Sequence, residues 1–490
     1  MIFRLKVDRI HIVVGMWHSL VARIVRDDEA AGSNPVIPTI LFDIQRPAEG
    51  RVFFCFQTTA RALMTSEEKN CAEELIAFID AATSPYHVVD SSDGEFLPPN
   101  KMNGEDLHPG QSYCFSLFNT GAVVVSIGEN PRGPLRIACA HTDFPCLRIK
   151  PNPVLKEHGY GKLNAEVYGG MIRNTWLDRP LSLAGAVSLR GTDPFAPRLR
   201  LVDFRRPLMI VPNLAIHMNR KVNEGVELKP QKDLLPIFFQ SNSSDTDDSK
   251  KLLSLLADEL GVLTEDILSY DLNAYPCERG CMLGCDDVFL SAPRLDNLSS
   301  VKACLDAANA WKGTDGIRIV ALFDNEEVGS RTKQGAGSTV LSMIMERIYM
   351  ALGFSRDEYL HQILDGFCFS VDVAHALHPN APEKADPTNQ PLLGGGIVLK
   401  VAANQSYAGD PEAYAVAADL CEREDIPYQV FANHSDALGG ATLGSILSTQ
   451  IPMRTMDIGV PVLGMHSARE TMGTRDQMSL SRFLISFFSA

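Results

Sequence analysis

The run Ile317-Arg-Ile-Val-Ala-Leu-Phe323 passes without a break into Asp324-Asn325-Glu326-Glu327. A short apolar run of this kind reads as a strand buried on both faces. Three carboxylates at its inner end are costly unless something compensates them, and cations are the simplest remedy. A solvated acidic turn is the plainer alternative. The same alternation recurs along the chain. Ala122–Ser126, Leu135–Ala140 and Gly366–Val371 read as strands, and Gly337–Leu352 reads as a helix between Ile317–Phe323 and Gly366–Val371. Strand–helix–strand order predicts an α/β fold, a mixed sheet flanked by helices.

The chain has 490 residues, enough for two or three domains at roughly 100–200 residues each. The stretch from Pro151 to Val288 differs from its surroundings. It carries short β-like runs (Leu181–Leu189, Leu199–Phe204), prolines, and a polar loop, Ser241–Lys250, expected to be mobile. We read residues 151–288 as a second domain inserted into the first, which then consists of residues 64–150 and 289–490. The first sixty residues are different again, since Asp27–Pro47 has no lasting periodicity. A helix signature begins at Met64. Thr65 or Ser66 can cap it, Glu67 and Glu68 fill its first turn, and Cys71, Leu75, Ile76 and Ile79 follow at helical spacing. The expectation is that Met64 is the natural start and that residues 1–63 are a non-native or disordered extension. Several acidic residues there disfavour a targeting peptide.

Net charge is −15, from 60 acidic and 45 basic residues. Such a surface repels phosphate backbones and anionic lipid, so neither nucleic acid nor membrane is an expected partner. The most apolar stretch, Ile10–Val25, contains two histidines, a serine and an arginine and should not span a bilayer. Eleven scattered cysteines fit reduced thiols in a cytoplasmic protein. Cys277, Cys281 and Cys285 cluster, but without a fourth ligand they read as incidental residues of a loop. The glycine clusters Gly335–Gly337 and Gly394–Gly396 lack nucleotide-binding spacing.

Five short segments place polar residues at or just past predicted strands, where open α/β sheets bind ligands. His141 follows Leu135–Ala140, and Asp143, two residues on, projects to the same side, where a carboxylate can accept the second ring N–H. Taken alone, a turn holding a satisfied histidine explains this equally well. Asp296, ahead of a helical pattern, reads in isolation as an N-cap; the functional alternative is a carboxylate bridging two cations. Glu326 and Glu327 can divide labour, one binding metal and the other exchanging protons. Asp372 ends the Gly366–Val371 run, and His466 follows the strand-like Val462–Met465. A single histidine in such a place is usually packed or capping. Together, two histidines and three carboxylates suit two zinc ions sharing one bridging carboxylate. Such pairs sit about 3.5–4 Å apart in hydrolases of this type.

At these segments the sequence resembles the aspartyl aminopeptidase family of dizinc metallopeptidases. The strings HTDFP, YGG, TWLDRPL, LAIHMNR, RLDNL, FDNEEVGS, DVAHALHPN and GMHSARE occur in family order between about Met64 and the C-terminus. The resemblance implies two zinc ions per subunit, with cobalt or manganese as alternatives. His141, Asp296 and Asp372 would hold one ion, and Asp296, Glu327 and His466 the other. Asp143 would orient His141, and Glu326 would be the general base that moves a proton from water to the leaving amine of a peptide. The implied fold is a zinc-peptidase α/β domain with an inserted, mainly β dimerisation domain, the dimers assembling into a tetrahedral dodecamer. There His217 would reach a neighbour's active site. His378, Lys400 and Tyr407 match positions near the substrate, Lys400 facing an acidic side chain or terminal carboxylate. The segment GGMIRNTW and the stretch Cys277–Cys285 depart from the family pattern, which bears on substrate preference more than on metal binding. Preference for N-terminal Asp or Glu is the implied specificity.

Two rival readings keep the same residues. A dizinc amidohydrolase or carboxypeptidase would use these ligands with an arginine clamp on a substrate carboxylate. A non-catalytic scaffold or cargo protein would keep the fold without the chemistry, although the presence of Glu326 beside all five ligands argues against that.

Overall fold

The computed structural model describes residues 64–92, 107–241, 248–437 and 439–490, together with the strand backbones within 1–63 and at Phe96–Leu97. The chain divides into two compact units, Met1–Leu63 and Met64–Ala490. In the first, β1 (Ile2–Val7) pairs antiparallel with β2 (Ile10–Gly15), and β3 (Val21–Arg23), β4 (Ile40–Ile44) and β5 (Val52–Phe56) form an antiparallel sheet. Beyond these strands, the expectation of a non-native or disordered extension concerns residues outside the described set.

The second unit opens as its local chemistry predicts. Helix α1 (Ser66–Ala81) is capped by Thr65, whose hydroxyl accepts the Glu68 N–H while the Glu68 carboxylate accepts the Thr65 N–H. The short α2 (Pro85–Asp90) follows, then β6 (Phe96–Leu97), β7 (Ser112–Leu117), β8 (Gly121–Ile127) and β9 (Asn130–His141). The chain next builds a separate sheet from β10 (Cys146–Glu157), β11 (Tyr160–Tyr168), β12 (Leu181–Leu189), β13 (Arg198–Asp203), β14 (Ile237–Gln240) and β15 (Ile267–Pro276), with α3 (Pro230–Asp233) and α4 (Lys251–Leu260) between strands. Its order is β13-β12-β15-β10-β11-β14, antiparallel throughout, over its own apolar core.

The strands set the extent of the inserted sheet, which is not the same as the extent of a domain. Its strands run from Cys146 to Pro276, and β10 is one strand across Pro151 and Pro153. Those prolines sit where the β10–β11 register shifts between Ile149 and Val154, a bulge that needs no ladder N–H from them. The polar loop Ser241–Lys250 lies largely outside the described residues.

The returning chain adds β16 (Cys281–Leu283), β17 (Phe289–Ala292), α5 (Leu295–Ala310), β18 (Asp315–Phe323), α6 (Val340–Ala351), α7 (Arg356–Asp365), β19 (Phe367–Val371) and β20 (Ala374–His375). It finishes with β21 (Ile397–Val401), α8 (Pro411–Arg423), β22 (Tyr428–Ala432), α9 (Leu443–Gln450), β23 (Arg454–Gly459), β24 (Pro461–Leu463), β25 (Glu470–Gly473) and α10 (Asp476–Ser489). Two sheets result. The central one has the order β22-β21-β23-β19-β9-β18-β8-β7-β6, and a smaller one runs β16-β17-β25-β24-β20. Cys281 therefore lies in a short strand and not in a loop.

Within the central sheet β19, β9 and β18 are neighbours and run parallel, so their carboxyl ends lie side by side. One face of the sheet packs on α1, α5, α8 and α10, and the other on α6, α7 and α9. This explains the unbroken apolar runs: both faces of each central strand are buried. Among the described residues no helix is long and apolar enough to cross a membrane.

Phe369, fully buried in β19, stacks edge-on against Phe483 and Phe487 of α10 at centroid distances of 4.9 and 4.6 Å. Phe369→Ala is expected to cost about 3–5 kcal/mol, the usual range for emptying an aromatic site in a rigid core. The measurement is denaturant unfolding of the two proteins side by side.

Candidate metal centre

Three parallel strands deliver one wall of the site. β9 ends in His141, β18 runs into Asp324-Asn325-Glu326-Glu327, and β19 runs into Asp372. The smaller sheet delivers the opposite wall, with Asp296 just after β17 and His466 between β24 and β25. All five meet. His141, Asp296 and Asp372 each place a ligand atom within 4.8 Å of the other two, and so do Asp296, Glu327 and His466. His141 Nε2 lies 3.4 Å from Asp296 Oδ1 and 3.5 Å from Asp372 Oδ1. His466 Nε2 lies 3.3 Å from Asp296 Oδ2 and 3.4 Å from Glu327 Oε1. Each carboxylate oxygen of Asp296 thus faces its own triplet.

The backbone explains why Asp296 is not the cap it resembles. Arg294 adopts the left-handed conformation (φ 60), and Asp296 (φ −77, ψ 106) and Asn297 (φ −122, ψ 26) depart from helical angles. The Asp296 side chain is therefore free of the α5 N–H groups. Its own N–H donates to Glu470 Oε2 at 2.9 Å, and Asn297 Nδ2 donates to the Val371 carbonyl at 2.9 Å, tying the helix start to β19.

Asp143 organises the other wall. Its carboxylate is fully buried and accepts the Glu326 and Glu327 N–H groups, each at 3.1 Å, and the Tyr168 hydroxyl at 2.6 Å. The ring of His141 meets Asp143 twice, with Nδ1 3.0 Å from its main-chain carbonyl and 3.4 Å from Oδ1. Either acceptor fixes Nδ1 as the protonated nitrogen and leaves Nε2 for a metal. Gly169 (φ +72) and Gly170 line the edge of the site: a Cβ on the first would lie 3.2 Å from Glu327 Cβ, and on the second 3.1 Å from His466 Nδ1. A side chain at either position would crowd a ligand.

Sequence reasoning gave no role to Glu470, Tyr168, Asn297 or Asn325. Glu470 is the most consequential of these. Buried at the start of β25, it accepts the Asp296 N–H through Oε2 and the His466 N–H through Oε1 at 2.7 Å. One carboxylate therefore holds two ligands from different segments. The signal available was an acidic residue four positions after His466 in a strand that is otherwise buried. Glutamine supplies only one acceptor oxygen, so Glu470→Gln is expected to weaken metal binding about 10–100-fold, as for other groups that orient ligands. Competition with a calibrated chelator measures it.

The donor set fits divalent cations. Asp296 Oδ1 and Glu327 Oε1 are buried without a hydrogen-bond partner, and buried carboxylate oxygens are rarely left so. Burial pushes the Glu326 carboxyl up to about 8; His141 opposes this and Asp372, Asp143 and Asp296 reinforce it. Burial and then Asp296 raise Glu327 well above its ordinary value. Burial would lower the two imidazoles, but the carboxylates outweigh it and push His466 up to about 10 and His141 higher than usual. Protein charges alone make this cluster hold protons. Two cations would displace them, since metal binding requires deprotonated ligands.

The remaining predicted positions are spread around this centre. Lys400 in β21 is fully buried and does not reach out to water; its Nζ donates to the Val373 carbonyl at 2.8 Å and lies 3.6 Å from Asp372 Oδ2. Tyr407 is buried with its ring centroid 5.2 Å from Lys400 Nζ. His378 is exposed and lines a cavity of about 330 Å3 with His375, His434 and Met465, the residue before His466. His217 is exposed and is not gathered at the centre within one chain. Cys277, Cys281 and Cys285 are free thiols and belong to neither metal-ligand group. The N–H groups of Gly394 and Gly396 are spent on the Asp476 carboxylate, at 2.8 and 2.9 Å.

Comparison with known proteins gives a consistent result. A family model described as aminopeptidase I zinc metalloprotease (M18) matches residues 78–488. A Clostridium acetobutylicum protein named "Probable M18 family aminopeptidase 2" is 40% identical over 430 residues, covering 86% of this chain and 99% of the relative. A Streptomyces coelicolor protein of the same name is 38% identical over 433 residues, covering 86% and 98%. Among solved structures, the Ape4 and Nbr1 complex superposes with a TM-score of 0.81 at 31% identity, covering 87% of each chain. The mApe1 dodecamer of S. cerevisiae superposes with a TM-score of 0.73 at 26% identity, covering 87% of this chain and 97% of that one.

Proposed function

The chain belongs to the M18 family of zinc metallo-aminopeptidases, and on that basis we propose that it removes the N-terminal residue of peptides at a centre of two zinc ions. Asp296 carries this reading, because its two oxygens face two separate ligand triplets. His141, Asp296 and Asp372 would hold one ion, and Asp296, Glu327 and His466 the other. When bound, such a pair polarises the scissile carbonyl and acidifies water. The chain's own groups do the rest. Glu326 is pinned by its N–H to Asp143 and stands directly before the ligand Glu327 at the end of β18. From there it takes a proton from the attacking water and returns it to the leaving amine. Asp143 and Glu470 hold the ligands in place and exchange no protons with substrate.

The substrate's first side chain lies near Lys400 and Tyr407, with His378 at the rim. We assign a preference for Asp or Glu there. Lys400 already serves Asp372 and the Val373 carbonyl, so this is a preference and not an absolute requirement. The protein acts in the cytoplasm as a homo-oligomer, its dimers built on the inserted sheet and assembling into a tetrahedral dodecamer, with His217 entering a neighbour's active site. Two observations support this. The cysteines of the described residues are free, and His217 is flanked by exposed Leu214, Ile216 and Met218, an apolar surface of the kind that oligomers cover. The test is a kinetic screen of zinc-loaded protein on peptides beginning with Asp, Glu, Leu and Lys, each free and N-acetylated. Turnover of the free peptides only, fastest for the acidic pair, is expected. Cleavage of the acetylated series would transfer the chain to the amidohydrolase reading, and inactivity throughout with both ions bound would leave a scaffold.

A further inference from the structure

A cleft of about 810 Å3 lies at the end of the central sheet away from the metal centre, between α8, α10 and the amino ends of β19 and β23. Arg136, Arg423, Arg454 and Arg482 line it, against Asp419, Glu424 and the main-chain carboxylate of Ala490 as acidic groups. In a chain with net charge −15 four guanidiniums on one cleft are unexpected.

Most of the acids nearby are already used. Arg423 pairs with Asp419 at 2.6 Å, and Arg454 with Glu412 at 2.8 Å. Arg318, beneath the cleft, is spent on the carbonyl oxygens of Pro134 and Phe488 and on a main-chain carboxylate oxygen of Ala490. Arg136 and Arg482 are different. Among the described residues no Asp or Glu side chain lies within ion-pair distance of either. Arg136 donates only to the Leu135 carbonyl at 3.1 Å, and Arg482 only to the Glu424 carbonyl at 2.8 Å. Each guanidinium offers five donors, so most of theirs remain for a ligand. Arg136 is half-buried, and its burial and then the neighbouring Arg454 lower its proton affinity, a strain that an anion would relieve. Behind the arginines the wall is apolar: Phe367, Ile426, Ile485 and Phe487.

We propose that this cleft binds a small phosphate-bearing molecule, its dianionic head held by Arg136 and Arg482 and an apolar or aromatic body resting on Phe367 and Ile485. Forked guanidiniums match phosphate oxygens in pairs, and the apolar wall distinguishes an organic phosphate from the inorganic ion. The site lies apart from the zinc ligands and takes no part in peptide cleavage.

The experiment is calorimetric titration of the zinc-loaded full chain with inorganic phosphate and with phenyl phosphate at constant ionic strength. Saturable binding is expected, tighter for phenyl phosphate. In Arg136→Met/Arg482→Met it should weaken roughly 10–100-fold, the usual effect of losing charge-assisted hydrogen bonds, while peptide turnover stays at the wild-type rate. Arg482→Glu alone, on an exposed residue, should weaken it at least tenfold and guards against a double variant that fails to fold. Isotherms identical in wild type and both variants would overturn the proposal, because they would place the anion on the zinc ions or on no specific site. Equal affinity for the two phosphates would remove the apolar body from the assignment and leave inorganic phosphate as the ligand.

Discussion

Glu326→Gln is expected to lower kcat by about 10^2–10^4-fold, the range attributed to a positioned general acid–base group, with zinc content unchanged. Glutamine fills nearly the same volume, so the turn after β18 should persist. Its N–H still donates to Asp143, and Glu327 and the other four ligands stay in place. What disappears is the carboxylate proposed to take up and return a proton. Because the loss falls on chemistry and not on binding, KM should change much less than kcat. Steady-state kinetics with metal analysis of the same sample separates the two. A variant that kept its ions and turned over near the wild-type rate would remove Glu326 from the mechanism.

Asp296→Ala is expected to do something no other single ligand substitution does, which is to empty both sites. Its oxygens lie 3.4 and 3.3 Å from His141 Nε2 and His466 Nε2, so alanine takes a donor from each triplet. Each ion would keep two protein ligands, fewer than the three a catalytic zinc site normally uses. His466→Ala breaks only one triplet and should leave the other ion bound. Metal analysis after dialysis should therefore give close to no zinc for Asp296→Ala and about half the wild-type content for His466→Ala, with turnover abolished in the first. Half-loading in both variants would show that Asp296 serves one ion alone.

Several features were legible because they are local. The cap at Thr65 needs only a hydroxyl and a carboxylate three residues apart, and Glu68 supplies the partner. The strands from Ala122, Leu135, Ile317 and Gly366 were visible because burial on both faces leaves an unbroken apolar run. His141 and Asp372 could be marked because each follows such a run directly, and Glu327 because it belongs to the acidic turn that does. Other features were not local. That β10 runs on through Pro151 and Pro153 by way of a bulge could not be read from the prolines themselves. Lys400 was marked only through the family resemblance, and no local pattern showed that Asp372 and Val373 hold it inside. Glu470 had no visible role, since the two N–H groups it accepts belong to residues 174 and 4 positions away.

What this amino-acid sequence determined unaided is the inventory: which segments become strands, and which carboxylates and imidazoles stand at their ends. These follow from solvation and hydrogen bonding between residues a few positions apart. What only the tertiary structure decided is the company each residue keeps. The order β19-β9-β18 sets Asp372, His141 and Glu327 side by side, and the second sheet brings Asp296 and His466 across to face them. Strand order and sheet-on-sheet placement are settled by burying whole surfaces against one another, a sum over the entire core that no short stretch of chain records.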